Sequence, residues 1–436
     1  MFHARSPLRV RADSGFCHQF AIPFAAMQDW RDVTVWERLA AEGHALVAAA
    51  EASLAPGKAI ATPAAIARLR KTSDAALVAA AFELVAARRR ARAKFAAAET
   101  LWCDVAGVEQ ASDELVAAWK AARVAAAVGR GAAAVGPGAA VLDLCSGIGG
   151  DAMALSAVGL AVTAVDRDAR RAWMTARNAR CHTLVDDVEA IDLAGAVLHV
   201  DPARREERSG VRAWSIDDYQ PGRDWILRAI QESRAAAIKL SPAADRRSFP
   251  VEKLEWEFVE VDGTLVQAII WAGEFATTPG IARATVLRSG CAPCTLSGLG
   301  DDMQARALPV DSSPAPGAWI NEPCAALERA RLLTSAVGSV AAWEIGGGVG
   351  LLLSEEPLRA PWFESFVVIG TCEAKQDAIL RVIASAGLKA RSVRVRGQAA
   401  DADRLTRDLG CHPSGTAVVF LWREQAKPRA LVARAV

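Results

Sequence analysis

The residues best placed to do chemistry are Asp143, Asp166 and Asp201, each at the end of a short apolar run. The first opens Asp143-Leu-Cys145-Ser-Gly147-Ile-Gly149-Gly150-Asp151. Glycines at this spacing let the backbone turn tightly and approach a ligand, and the following helix offers it free N–H groups. Asp166 closes the next apolar run, sixteen residues after Gly150. An acid there can accept both hydroxyls of a ribose on its two oxygens. NAD sites share that acid, but this loop lacks their G-x-G-x-x-G spacing. S-adenosylmethionine, which has no phosphates, suits it better. Cys145, Gly147, Gly149 and Gly150 would cradle its methionine and ribose, and Asp143 would meet its amino group directly or through water. Asp187, in Asp186-Asp187-Val188, is expected to accept from the adenine amino group; a helix cap is the plain alternative.

Asp201 leads Asp201-Pro202-Ala203-Arg204-Arg205 at the carboxyl end of another apolar run. Ligands of open α/β sheets bind in that region, which makes Asp201, Pro202 and Arg204 the expected catalytic group. A guanidinium there can stack on a base or fork a phosphate, so Arg205 is read as a substrate contact. Tyr219, the only tyrosine, is read as a stacking ring,. Lys239, in Lys239-Leu-Ser241-Pro242, would line the same cleft. For Tyr219 and Lys239, ordinary packing or solvation serves equally well.

These residues need a particular framework. From Gly138 onward short apolar runs alternate with helical patterns, as in a parallel α/β sheet. Strands are expected at Val141–Leu144, Ala161–Val165, Thr183–Val185, Val197–Val200 and Ala236–Leu240. Helices are expected at Ala152–Val158, Ala169–Cys181 and Asp224–Ser233. Asp262-Gly263 joins Trp256–Val261 to Leu265–Trp271 as a tight hairpin. Ahead of the sheet, residues 30–130 are Ala-rich with helical spacing, and Thr72, Ser73 and Asp74 are good caps for a helix running to about Ala98. Residues 361–436 alternate strand and helix, giving a small α+β domain of ferredoxin-like type. The expected division is a 1–29 tail with Met27 as a second possible start, a 30–130 helical domain, a 131–278 cofactor domain, a 279–360 connection and the 361–436 domain.

The chain of 436 residues is 52% hydrophobic, which excludes wholesale disorder,. No apolar run reaches the length of a membrane span, and no secretory signal is evident. Nine cysteines, an odd count, suit reduced thiols and a cytoplasmic setting,. Cys291 and Cys294 have no second ligand pair, so no structural metal is expected. Net charge is +1, unevenly placed. Lys58–Lys94 holds nine basic residues against two acids, and Ser365–Val436 holds twelve against six. Such basic flanks suggest a polyanion gripped from both sides. Arg88, Arg89, Arg90 and Arg92 would grip it on one side, and Arg391, Arg394 and Arg396 on the other. Arginines that only solubilise their domains are the bland alternative.

L-D-L-C-S-G-I-G-G-D, V-D-R-D, V-D-P-A-R-R, D-D-Y-x-P and I-K-L-S-P together resemble the bacterial class I methyltransferases with a THUMP-like C-terminal domain, distant relatives of trimethylguanosine synthase. Glu322-Pro323 and Arg329-Ala-Arg331-Leu-Leu are similar to a further element of that family, as is Gly107-Val-Glu109-Gln110-Ala-Ser112. The resemblance implies a Rossmann-like methyltransferase sheet flanked by a helical domain and a THUMP-like domain, using S-adenosylmethionine. It implies a structured RNA, tRNA or rRNA, as partner, and guanine N2 as the best single target. In amino-methyltransferases a D/N-P-P-aromatic segment accepts the target amine's hydrogens and stacks its ring. Here Ala203 and Arg204 replace the second proline and the aromatic. Methylation of a small molecule or protein, and RNA binding without catalysis, are the alternatives.

Overall fold

The computed structural model describes residues 29–54, 61–129, 140–204, 219–300, 306–307, 314–345, 350–396, 401–424 and 427–436. They form two compact units, one within residues 29–255 and 269–279, the other within 256–268 and 280–436.

The first unit begins with helices α1 (Val33–Glu42), α2 (His44–Ala52), α3 (Pro63–Leu69), α4 (Ala75–Ala91), α5 (Val105–Gln110) and α6 (Glu114–Val128). Asp74 caps α4 by accepting from the N–H groups of Ala76 and Leu77,. The strands and helices of the α/β part then alternate: β1 (Ala140–Leu144), α7 (Gly150–Ala157), β2 (Ala161–Asp166), α8 (Ala169–Ala179), β3 (His182–Val185), β4 (Val197–Val200), β5 (Ala203–Arg204), β6 (Tyr219–Gln220), α9 (Arg223–Glu232) and β7 (Ala235–Leu240). β7, β4, β1, β2 and β3 lie side by side in that order, and every pairing is parallel. The order reverses at β1, so the carboxyl ends of β1 and β4 border the switch point where such sheets bind ligands. Val197, Leu198, His199 and Val200 are all buried, as expected of a strand covered on both faces.

The helical segment shares its core with this sheet. Trp36, Leu84 and Val85 belong to one apolar cluster with Ile148 of the glycine loop and Met174 of α8. Burying such side chains contributes about 1.5–3 kcal/mol each, so the helices and the loop are stabilised together.

The chain continues through β8 (Glu255–Val261) and β9 (Thr264–Gly273). Asp262 and Gly263 between them both have positive φ, 44° and 83°, as the tight hairpin requires,. In the second unit β10 (Ala282–Leu287) pairs parallel with β8 and antiparallel with β11 (Cys294–Gly298).

An eight-stranded sheet follows, made of β12 (Arg306–Ala307), β13 (Trp319–Pro323), β14 (Ala342–Ile345), β15 (Leu351–Ser354), β16 (Phe363–Glu373), β17 (Ala390–Val395), β18 (Ala417–Glu424) and β19 (Lys427–Ala435). Their order is β12-β14-β15-β13-β16-β19-β18-β17. Helices α10 (Ala325–Ala330), α11 (Leu333–Val337), α12 (Gln376–Ser385) and α13 (Ala402–Asp408) connect them. Val418, Phe420 and Trp422 face one core, and Val419 and Leu421 face another with Ile379 and Ile383 of α12. The C-terminal segment is α+β, but it runs β-α-β-α-β-β with β17 parallel to β18. That corrects the ferredoxin-like expectation, whose order is β-α-β-β-α-β. β19 supplies the difference, pairing with both β16 and β18.

Candidate active site

The glycine loop leaves β1 through residues of positive φ. Cys145 has φ 60° although it carries a side chain, a conformation that costs of order 1–3 kcal/mol and persists only where surroundings enforce it,. Burial pushes its thiol well above the usual range, with Asp166 adding to the shift. Gly149, at φ 85°, caps α7, and a Cβ there would lie 3.0 Å from Thr175. Gly147, at φ 59°, faces open space, with no atom within 4 Å of where a Cβ would stand. Helix α8 fastens the loop from behind. Thr175 Oγ1 donates to the Gly147 carbonyl at 2.9 Å, and Asn178 Nδ2 donates to the Ile148 and Trp102 carbonyls, each at 2.8 Å.

Asp166 closes β2 beside that loop. It accepts from the Gly147 N–H at 2.8 Å on Oδ2 and from the Asp168 N–H at 2.9 Å on Oδ1. Burial pushes its carboxyl upward, and these two amides oppose the shift,. Each oxygen keeps a further lone pair for a hydroxyl. An acid with both oxygens pre-aimed, facing a bare glycine loop, fits the ribose and methionine parts of S-adenosylmethionine. Asp187 follows β3, where it accepts from the Glu189 N–H at 3.0 Å and caps a short helical turn. One of its oxygens is therefore engaged as the plain alternative anticipated.

Asp143 differs from the expectation. Its carboxylate is 1% exposed, with one oxygen 2.7 Å from His199 Nδ1. The β1–β4 register places Asp143 opposite His199, which fixes that contact. A ligand amine has no surface on which to reach it. Asp143 instead belongs to a buried polar cluster. Lys120 Nζ of α6 lies 2.6 Å from Asp151 Oδ1, 3.1 Å from His199 Nε2 and 3.1 Å from Ser112 Oγ. Ser112 Oγ also donates to Asp151 Oδ2 at 2.9 Å. Burial pushes the Asp143 carboxyl upward, against the hydrogen bond from His199. Burial also opposes ionisation of Asp151, but Lys120 and His199 outweigh it and hold that carboxyl well below the usual range. The sequence reading missed Lys120, His199, Asp151 and Ser112. Their signal was a lone lysine among alanines in α6 and a histidine inside the apolar run Val-Leu-His-Val.

Asp201 stands at the end of β4, its N–H donating to the Leu144 carbonyl at 3.1 Å. Its side chain is 24% exposed, and Oδ2 lies 2.7 Å from Lys239 Nζ, itself 17% exposed. Lys239, read as a cleft-lining residue, thus pairs with Asp201. Pro202 is buried beside it, and Arg204 is in β5, paired with Tyr219 of β6. Arg205 lies outside the described residues.

Tyr219 is a correction. Its side chain is 5% exposed, and its Oη accepts from the Ser241 N–H at 2.6 Å. A ring covered in this way cannot stack a base; it fixes the strand end that carries Lys239. Gln110 was also missed: its carbonyl accepts from Lys239 Nζ at 3.0 Å, and its side chain meets Arg171 at 3.0 Å.

Several of the arginines assigned to a polyanion are engaged internally, whereas Arg391 is exposed. Arg394 contacts Glu322 and lies 2.7 Å from Glu364, its guanidinium 4.8 Å from the Phe366 ring. Arg396 is 9% exposed and bridges Glu322 at 3.2 Å and Glu328 at 2.8 Å. They share one face, as alternation on a strand dictates, but that face is lined with carboxylates. Substrate contact at Arg394 and Arg396 is therefore set aside. In the helical segment Arg88 donates to the Leu101 carbonyl at 2.9 Å, Arg90 pairs with Glu109 at 3.6 Å and Arg92 with Glu99 at 2.5 Å. Lys94 Nζ donates to three carbonyls, those of Val108, Glu109 and Ala111.

Among the described residues no group of three or more His, Cys, Asp or Glu could hold a metal ion. Among them also, no helix is long and apolar enough to cross a membrane.

The parallel sheet with its glycine loop defines a class I methyltransferase fold, and comparison with known proteins agrees. The family of RNA cap guanine-N2 methyltransferases matches residues 138–207, which run from β1 past Asp201. A solved structure from Porphyromonas gingivalis W83, assigned as a methyltransferase, is similar over 90% of this chain and 98% of its own, at 18% identity and a TM-score of 0.66. One from Pyrococcus horikoshii, assigned as an RNA methyltransferase, is similar over 36% of this chain and 81% of its own, at 14% identity and a TM-score of 0.25, too low to bear on the fold. No curated protein matches the chain. Fold and motif together make this an S-adenosylmethionine-dependent methyltransferase.

Proposed function

We propose that the protein methylates an amino group of a nucleobase in structured RNA, with guanine N2 as the target. The observation that carries the reading is Asp201. It is a part-exposed carboxylate at the switch-point end of β4, inside the segment that matches cap guanine-N2 methyltransferases. S-adenosylmethionine, when bound, supplies an electrophilic methyl group. Gly147, Gly149 and Gly150 shape its cradle and Asp166 takes its ribose. Asp187 keeps one oxygen for the adenine amine.

Asp201 performs the step that a ring amine requires. The lone pair of such a nitrogen is conjugated with the ring, so it is a weak nucleophile. A carboxylate that accepts one of its hydrogens stabilises the positive charge arising at nitrogen as the new bond forms. Pro202, buried behind it, holds the turn. A second reading, a small-molecule or protein substrate, draws support from the internal pairing of the Arg88–Lys94 and Arg394–Arg396 groups. Transfer of tritium from labelled cofactor into total RNA, protein and metabolite fractions decides between them. Label recovered as N2-methylguanosine is expected, and label confined to the protein or metabolite fraction overturns the RNA reading.

A further inference from the structure

Asp201 has a cationic neighbour whose ammonium is held from two sides. Lys239 Nζ donates to Asp201 Oδ2 at 2.7 Å and to the Gln110 carbonyl at 3.0 Å. The two side chains meet because β4 and β7 are adjacent and parallel, with Val200 opposite Ile238, so the next residue of each stands at the same level. The strand end that carries Lys239 and the Gln110 carbonyl are themselves anchored. Two residues beyond Lys239 the Ser241 N–H is fixed on Tyr219 Oη. On the other side, Lys94 clasps the carbonyls that flank Gln110, those of Glu109 and Ala111.

We propose that Lys239 is a positioning residue for methyl transfer: by holding Asp201 Oδ2 against the Gln110 carbonyl it fixes the plane of the carboxylate and turns the other oxygen toward the substrate's amino group. The proposal rests on the reading of Asp201 as acceptor for that amine. The torsion that orients a carboxylate is broad and only two-fold. An isolated Asp201 would therefore sample many planes, while an acceptor for a developing charge must be aimed before the reaction. The lysine meets that need without touching the reacting atoms. It also makes the end of α5 part of the active site, because the carbonyl that completes the clamp comes from the helical segment. The aromatic ring that amino-methyltransferases use to fix the line of attack has no counterpart at Arg204, which leaves more of the alignment to the acceptor.

The test uses the full-length protein, labelled S-adenosylmethionine and unmethylated total RNA. It compares Lys239→Met, Lys239→Arg, Asp201→Asn and the Lys239→Met/Asp201→Asn double variant. Lys239→Met is expected to lower kcat about 100-fold, the scale of an ångström-sized misplacement. Its cofactor affinity by calorimetry should stay within about twofold of wild type. Lys239→Arg should recover most of the rate, because it restores a charged donor. In the double variant the lysine change should add less than about twofold, since a group acting only through Asp201 has nothing left to orient. Wild-type turnover in Lys239→Met overturns the proposal, as does a parallel loss of cofactor affinity or a full additive loss beside Asp201→Asn. Should Lys239→Met fail to fold, Lys239→Ala, which likewise has no donor, takes its place under the same criteria. Label from the wild type appearing in protein or metabolites instead overturns the RNA reading alone. The same variants are then scored on that fraction, where equal rates overturn the role of Lys239.

Discussion

The acids at the strand ends and the arginines of the basic flanks read alike in the sequence, as charged groups awaiting a ligand, and the structure treats them differently. Asp166 and Asp201 sit at the carboxyl ends of a parallel sheet, beside its switch point, and each retains acceptor capacity. Arg394 and Arg396 sit on and just after the edge strand β17, facing Glu322, Glu328 and Glu364. Arg88, Arg90 and Arg92 find a carbonyl or a carboxylate within their own segment. A count of charges thus says little about availability, whereas a position fixed by topology says a good deal.

The strongest test of that contrast is Arg396→Met. Its guanidinium is 9% exposed between two glutamates, and removing one partner of a buried pair strands the others at a cost of about 3–5 kcal/mol. Urea unfolding should register a loss of this size, with cofactor affinity unchanged. A variant as stable as wild type would mean that the pairing is idle and the arginine is available after all.

Asp201→Ala comes next. Loss of one group that stabilises transition-state charge costs about 100-fold or more in kcat, equivalent to about 2.7 kcal/mol. Because Asp201 is assigned to the substrate and not to the cofactor, calorimetric binding of S-adenosylmethionine should persist. Turnover at the wild-type rate would reduce Asp201 to a loop former. Asp166→Ala should show the reverse pattern. Cofactor affinity should fall by about 1.5–3 kcal/mol, the worth of hydrogen bonds to a charged acceptor, and unchanged affinity in a folded variant would remove Asp166 from the cofactor site.

What the sequence disclosed follows the same division. Val197–Val200 appears with the boundaries expected, because a fully buried parallel strand is a short apolar run, and the other strands of the α/β part fall within a residue or two,. The glycine loop and Asp166 were legible because their spacing is tied to one strand end each. Tyr219 was misread because rarity and loop position do not reveal burial. The strands between Ala282 and Ser354 were not recognised, since β13 carries Asn321 and Glu322 in buried positions and so shows no clean period. The Lys120–His199–Asp143 contacts join residues 79 and 56 positions apart. No local pattern encodes such a meeting; only the β1–β4 register and the packing of α6 on α7 bring it about.

The smallest expected effect concerns the salt dependence of RNA binding. A protein that neutralises phosphates releases their counterions, and the log–log slope of affinity against salt shifts by about 0.7–0.9 for each phosphate it no longer neutralises. Arg90 and Arg92 are about half exposed, 43% and 54%, so phosphate could reach them. Glu109, Glu99 and Glu51 would still stand within 4 Å of them, however. A phosphate arriving at Arg92 would meet two carboxylates as well as one guanidinium, and an arginine already neutralised by a neighbour has little counterion release to offer. Arg88 is turned inward, with its Nε on a main-chain carbonyl and its guanidinium 5.7 Å from the Trp102 ring. Replacing Arg88, Arg90 and Arg92 together by Gln should therefore move the slope by less than a single phosphate would. Fluorescence anisotropy with a structured RNA at several salt concentrations measures it. A drop approaching that of three phosphates would mean that RNA displaces the glutamates, and the helical segment would become a binding face despite its pairing. A flat result would leave RNA affinity to groups nearer the carboxyl ends of the strands, such as Arg167, which is exposed just after β2.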